Sequence, residues 1–187
     1  SIDCDRDYNV VVCGGTNSYN FPTTAGAYRT YYSGGSADGF VAKISYYGNQ
    51  LMASTQFGSS AYDQCYFVRC AKNDDIFIFG QTKAPGNTLI HNANYNTPNS
   101  GQMLARFRPG LDTLVWSTVF GTGDVTTNGP HLSPTAFAVD ICNRVYLSGW
   151  GRIFLGRTFG GTNYPWGSRG TTGMTVTSDA YQSTTDG

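Results

Sequence analysis

The sequence contains no glutamate: all twelve of its acidic residues are aspartate. Charge is scarce altogether, at 13% of residues, about half the usual share for a soluble domain. Twelve Lys and Arg balance the twelve Asp, so the net charge is zero. A neutral chain has no long-range attraction for phosphate, so a nucleic-acid partner is not expected. No apolar run approaches the length needed to span a bilayer, so membrane insertion is not expected. The opening residues SIDCDRDYNVVV read as strand rather than as a leader. Helix formers are thin: with Glu absent, there are only three Lys and eight Leu.

Motifs for chemistry are also sparse. The five cysteines are an odd number, form no CxxC, and at 4, 13, 65, 70 and 142 match no zinc spacing. They read as small buried apolar residues, with a Cys65–Cys70 disulfide as the open alternative. Only two histidines occur, His91 and His131, both in loop-like stretches without a paired nucleophile. GxSxG is absent, and the Gly-Gly pairs at 14–15, 34–35 and 160–161 build neither a dinucleotide nor a Walker loop.

What is present favours strands and turns. Gly (24), Thr (22), Asn (13) and Tyr (13) are abundant. Aromatics at 14% within an apolar fraction of 40% suffice for a core and argue against charge-driven disorder. An all-β chain with many turns is expected.

Internal repetition then sets the organisation. CDRDYNVVVCG (4–14), CAKNDDIFIFG (70–80) and VDICNRVYLSG (139–149) align without a gap. So do DGFVAKISYYGNQLMASTQFG (38–58) and GQMLARFRPGLDTLVWSTVFG (101–121), which share Ala42/Ala105, Leu51/Leu114, Ser54/Ser117, Thr55/Thr118, Phe57/Phe120 and Gly58/Gly121. TTAGAY (23–28) is echoed by VTSDAY (176–181). Each segment of the first two kinds reads as two strands about a polar turn. Gly14, Gly80 and Gly149 lie 66 and 69 residues apart, and Gly58 and Gly121 lie 63 apart. Four antiparallel strands per unit of that size is the pattern of a β-propeller blade with one long connection. The runs VVV, IFI and VYL put apolar residues at successive positions, as expected of strands covered on both faces. The units fall at about 1–37 (the end of a blade plus its loop), 38–100 and 101–185. About three four-stranded blades result, fewer than the roughly 4–8 of a closed propeller. The expectation is therefore a partial arc of a larger propeller, starting and stopping in mid-pattern.

The stretches GGTNSYNFPTTAGAY (14–28), SADGFVAKIS (36–45), LMASTQFGSSAYDQ (51–64), VDICNRVYLSGWG (139–151) and DAYQSTTDG (179–187) resemble the SBBP-type β-propeller repeat of large secreted proteins of Bacteroidetes-like bacteria. The resemblance covers nearly the whole chain, least so at 83–100, 123–134 and 152–175. It implies an exported protein at the outer cell surface, of the kind carrying a gliding-motility or type IX secretion sorting domain. One departure is shared: the turn glycine of the family's Asp-x-x-Gly-Asn is missing from DRDYN (5–9), AKNDD (71–75) and DICNR (140–144). That puts the tight turn, though not the strands, in question.

Three functional candidates follow. Asp5, Asp7 and Asn9 have the alternating oxygen spacing of a calcium loop, but the Gly and Glu that complete one are missing and Ala71 and Arg144 break the pattern in the other repeats. An Asx-rich turn is expected there, with no metal and no cofactor. Paired carboxylates for glycan hydrolysis are conceivable among twelve Asp, yet Asp74, Asp75, Asp112 and Asp124 sit where turns explain them. The most distinctive stretch is 150–178, with Trp150, Arg152, Phe154, Arg157, Phe159, Tyr164, Trp166 and Arg169 among glycines. Aromatic and Arg enrichment with little other charge is the composition of interface cores. It reads either as a loop packed on its own blade or as a docking loop for a protein or glycan. The expected function is non-catalytic scaffolding or recognition at the cell surface. The partner would be the rest of the propeller or another chain covering the open blade faces. The alternative is a propeller enzyme acting on polysaccharide.

Overall fold

The computed structural model describes residues 1–125, 132–151, 158–159, 162–163 and 173–182. All named elements are strands. Four form the first sheet, in sequence order: β1 (Ile2–Cys4), β2 (Val10–Thr16), β3 (Asp38–Ile44) and β4 (Leu51–Phe57). Four form the second, again in order: β5 (Asp63–Cys70), β6 (Ile76–Thr82), β7 (Gln102–Phe107) and β8 (Leu114–Phe120). β9 (Ser133–Val139) pairs with β10 (Val145–Trp150) in a third sheet, and β11 (Thr158–Phe159) pairs with β12 (Thr162–Asn163). Every neighbouring pair is antiparallel. The chain is thus all-β, built of four-stranded antiparallel sheets. The third has two strands among the described residues.

The repeats recur pair for pair in register. Ala42 stands opposite Ser54 as Ala105 stands opposite Ser117, and Gly14 opposite Phe40 as Gly80 opposite Met103. Val139 pairs with Val145 as Cys70 pairs with Ile76 and Cys4 with Val10. Even the irregularity at Lys43/Ile44 returns at Arg106/Phe107.

The three hairpin turns close without a glycine. In all three, the fourth turn residue takes a left-handed conformation, with φ of 62° at Tyr8, Asp74 and Asn143 alike. Tyr8, Asp74 and Asn143 each donate their N–H to the carbonyl three residues earlier, at Asp5, Ala71 and Asp140. Asp5, Ala71 and Asp140 close the loop by donating to the carbonyls of Asn9, Asp75 and Arg144. This is a type I turn followed by a left-handed bulge residue, whose twist suits the flanking strands. Backbone geometry is set by strand pairing, and the side chain there bears the strain.

The long segments join the second strand of a sheet to the third, 17–37 in the first sheet and 83–101 in the second, while the sheets are joined by short stretches such as 58–62. The 38–100 unit accordingly supplies two strands to each sheet. Each long segment runs back along the outer edge of its own sheet. Thr24 donates to Ser54 O at 3.1 Å and Gln56 to Arg29 O at 3.1 Å. His91 and Ser117 exchange backbone bonds at 2.9 and 2.8 Å, and Thr97 donates to Val119 O at 2.8 Å. The shared Ser-Thr pair clasps the segment with its hydroxyls: Ser54 to Pro22 O and Ser117 to Leu89 O, Thr55 to Arg29 O and Thr118 to Tyr95 O. An edge strand with open backbone groups invites aggregation, and these segments cover it.

The sheets stack in chain order, β5 packing on β1, β2 and β3, and β9 on β5 and β6. One core lies between the first and second sheets (Val11, Cys13, Val41, Phe57 against Val68, Ile76, Ile78, Phe107). Another lies between the second and third (Phe77, Phe79, Leu104 against Phe137, with Val139 and Val145). β6 is buried along its whole length because its alternate residues serve different cores: Ile76 and Ile78 face back, Phe77 and Phe79 forward. Among the described residues, cover on both faces holds for this middle sheet only. VYL departs from the expectation: Tyr146, the counterpart of Phe77, is 55% exposed and Leu147 is exposed as well. Tyr146 points forward and Leu147, the counterpart of Ile78, points back, and no further sheet lies against the forward face among the described residues.

Candidate functional site

Of the aromatic-arginine loop, the structure places Trp150, the last residue of β10, paired with Ser133 and 45% exposed. Phe159 lies in β11, opposite Thr162. Arg152, Phe154, Arg157, Tyr164, Trp166 and Arg169 lie outside the described residues, as does His131. Trp150 adjoins the exposed face that carries Tyr146, and Ile141 is exposed at the β9–β10 turn of the same sheet.

The Asp5–Asp7–Asn9 group is a turn. Asp5 Oδ1 accepts the N–H of Asp7 at 3.0 Å and of Asn9 at 2.8 Å, and its Oδ2 accepts from Asn9 Nδ2 at 3.0 Å. Lys43 Nζ stands 3.8 Å from the same oxygen. Asp140 repeats this, accepting from the N–H groups of Cys142 and Arg144 at 2.8 Å each. Backbone donors thus occupy Oδ1 of both Asp5 and Asp140. Among the described residues, no three His, Cys, Asp or Glu gather as a metal site. His91 serves through its backbone, on Ser117, while its exposed ring meets Asn92 at 2.9 Å. All five cysteines are free thiols, so Cys65 and Cys70, both on β5, form no disulfide. Burial pushes Cys13 up to about 11, Cys70 up to about 12, and Cys65 well above its ordinary value. Cys13, Cys65 and Cys70 are thereby poor nucleophiles and act as small apolar residues, whereas Cys4 and Cys142 are exposed, contrary to the expectation of burial.

The joint between the first two sheets holds a pair that the turn-based reading of the aspartates passed over. Asp38, opening β3, and Asp63, opening β5, are both fully buried. Asp63 Oδ2 accepts from the N–H and hydroxyl of Ser59 at 2.6 and 2.7 Å, and Oδ1 from Thr82 Oγ1 at 2.5 Å. Asp38 Oδ2 accepts from Ser33 N at 2.6 Å, while its Oδ1 has no hydrogen-bond partner. Burial raises both carboxyls above their ordinary value, and the charge of Asp63 adds to the rise at Asp38. The Ser33, Ser59 and Thr82 donors and the Arg29 charge oppose that rise. Arg29 is fixed by hydrogen bonds to Ser33 Oγ and Gly58 O. The two carboxyls stitch Ser33, β3 and the 58–62 connection together. Enclosed as they are, they offer a polysaccharide no accessible acid–base pair. The available signal was a break in the repeat, since the counterparts of Asp38 and Asp63 are Gly101 and Leu132. At that second joint Gln81 and Gln102 both donate to Leu132 O instead, at 2.6 and 2.9 Å.

No family model matches the chain, and no curated protein matches it. The functional reading rests on the repeat and its geometry.

Proposed function

We propose that this chain is a non-catalytic arc of a β-propeller, in the SBBP-type manner, from an exported protein of the outer cell surface, and that it serves as scaffold and recognition surface. The observation that supports it most is the recurrence of one register in successive sheets stacked in chain order. That is how propeller blades follow one another. The recognition surface is the exposed end of the third sheet, where Trp150 leads into the aromatic- and arginine-rich stretch. Exposed aromatics beside arginine suit a protein or glycan partner.

The test has two arms. Antibodies against the chain should label intact cells of the source organism, and labelling only after permeabilisation would sink the surface assignment. The immobilised chain should retain a protein or glycan from that surface, and Trp150→Ala should weaken retention at least about fivefold, the loss of one aromatic anchor. Release of reducing sugar from a polysaccharide panel would overturn the non-catalytic reading.

A further inference from the structure

We infer that the outer edge of β10 is a receiving edge for a β-hairpin of the chain's own repeat type, which completes the third sheet to four strands. In the first sheet β2 pairs with β1 on one side and β3 on the other, and in the second β6 pairs with β5 and β7. β10, their counterpart by sequence and register, pairs with β9 alone among the described residues. No described strand takes up its other edge, which corresponds to the edge that β2 and β6 use to hold a third strand.

A second, independent observation indicates what fits there. The outer strand of each complete sheet is clasped by a cover segment. In the first sheet that segment makes a turn in which Ala27 donates to Thr24 O at 3.2 Å, and Thr24 reaches Ser54. Tyr28 at the end of the turn packs edge-on against Phe107, with Phe57 beside it. The echo at 176–181 closes a turn at the same position, Ala180 donating to Thr177 O at 3.1 Å, yet Tyr181 is fully exposed. Among the described residues, this turn holds no strand of the kind that Thr24 and Tyr28 hold in the first sheet.

The occupant is therefore specified by chemistry. Gly14 faces Phe40 and Gly80 faces Met103, so Gly149 faces a large apolar residue of the incoming strand. Val12 faces Ala42 and Ile78 faces Ala105, so Leu147 faces an alanine. The outer strand of the incoming hairpin carries the Ser-Thr pair that Ser54–Thr55 and Ser117–Thr118 supply elsewhere. The inference uses only the recurrence of the sheet, so its failure would leave the surface assignment standing.

The probe is a synthetic peptide of residues 36–58 added to the intact chain 1–187. Binding should slow hydrogen exchange in the β10 amides that face away from β9 by about tenfold or more. Peptide carrying Phe40→Asp should bind at least about tenfold more weakly, since a charge replaces a partly buried ring that packs on Phe21. In register, Leu147→Cys of the chain should form a disulfide with Ala42→Cys peptide and not with Lys43→Cys peptide, whose side chain points to the opposite face. Absence of binding, protection confined to β1, or equal crosslinking at both peptide positions would overturn the inference. So would Leu147→Cys chains that link to each other in preference to peptide, which would make a second copy the occupant.

Discussion

Asp38 and Asp63 are the residues whose protonation matters most to the fold. Both carboxyls are raised above their unfolded values, chiefly by burial. The stability they confer is complete below the ordinary carboxylate pKa and is lost as pH rises through their raised folded values. Asp74 and Asp140 act in the opposite sense: hydrogen bonds and, for Asp74, Arg6 hold them low, so their contribution disappears as pH falls. Substitution separates the two. Asp38→Asn keeps an acceptor for Ser33 and removes the buried charge, so it should raise Tm at pH 7. It should also flatten the change in Tm between about pH 4 and 7. A lower Tm at pH 7 would show that the ionised pair holds the joint together. The left-handed turn positions give a second test at this scale. A bulky residue there costs about 1–2 kcal/mol, while asparagine tolerates it. Allowing for glycine's extra unfolded freedom, Tyr8→Gly should stabilise the chain by about 0.5–1 kcal/mol relative to Asn143→Gly in urea unfolding. Asp74→Gly should gain less, because it breaks the Arg6 ion pair at 2.6 Å.

Strands with the same sequence role differ in what covers them. Phe77 and Tyr146 hold equivalent positions in β6 and β10 and point the same way along the stack. Phe77 is fully buried against the third sheet and Trp116, whereas Tyr146 faces outward. Phe77→Ala should therefore cost about 3–5 kcal/mol and Tyr146→Ala under about 0.5 kcal/mol by chemical denaturation. Similar costs would mean that the forward face of β10 is also covered. The turns of the second hairpin show the same divergence. Gly48 and Leu111 both adopt positive φ, but Gly48 is exposed and Leu111 is buried in the first core, its carbonyl accepting from Tyr28 N at 2.9 Å. Leu111→Gly should thus destabilise by about 2–4 kcal/mol, because lost burial outweighs relieved strain.

For the molecule as a whole, the stack ends in an exposed face. Tyr146, Leu147 and Ile141 leave apolar surface wet on the third sheet, and Ile2 and Tyr8 do so at the first. At about 25 cal/mol per Å², several hundred Å² left uncovered forfeits on the order of 10 kcal/mol. Whole domains are stable by only about 5–15 kcal/mol. The isolated chain should self-associate in light scattering, with an unfolding midpoint that rises with concentration. A monomer of ordinary domain stability and concentration-independent midpoint would show that these faces are satisfied within the chain.

The sequence by itself determined the strands, their hairpins and their recurrence, but it grouped the four strands of 38–100 into one unit where the structure shares them between two sheets. Gapless repeats with alternating apolar residues admit one register, since a slip of one residue turns every side chain to the wrong face. It also marked Ser54–Thr55 and Ser117–Thr118 as shared, although their task of clasping the cover segments is a matter of contact between residues some 23 to 32 apart. The absence of glycine from these turns was visible, and its consequence was not, because strand pairing fixes φ at Tyr8, Asp74 and Asn143 whatever the side chain. Only the tertiary structure decided that Asp38 and Asp63 are buried together, and that IFIF is covered on both faces while VYL is not. Those outcomes depend on which sheet lies against which. Adjacency of that kind is a property of the stack, and a local pattern of residues carries no record of it.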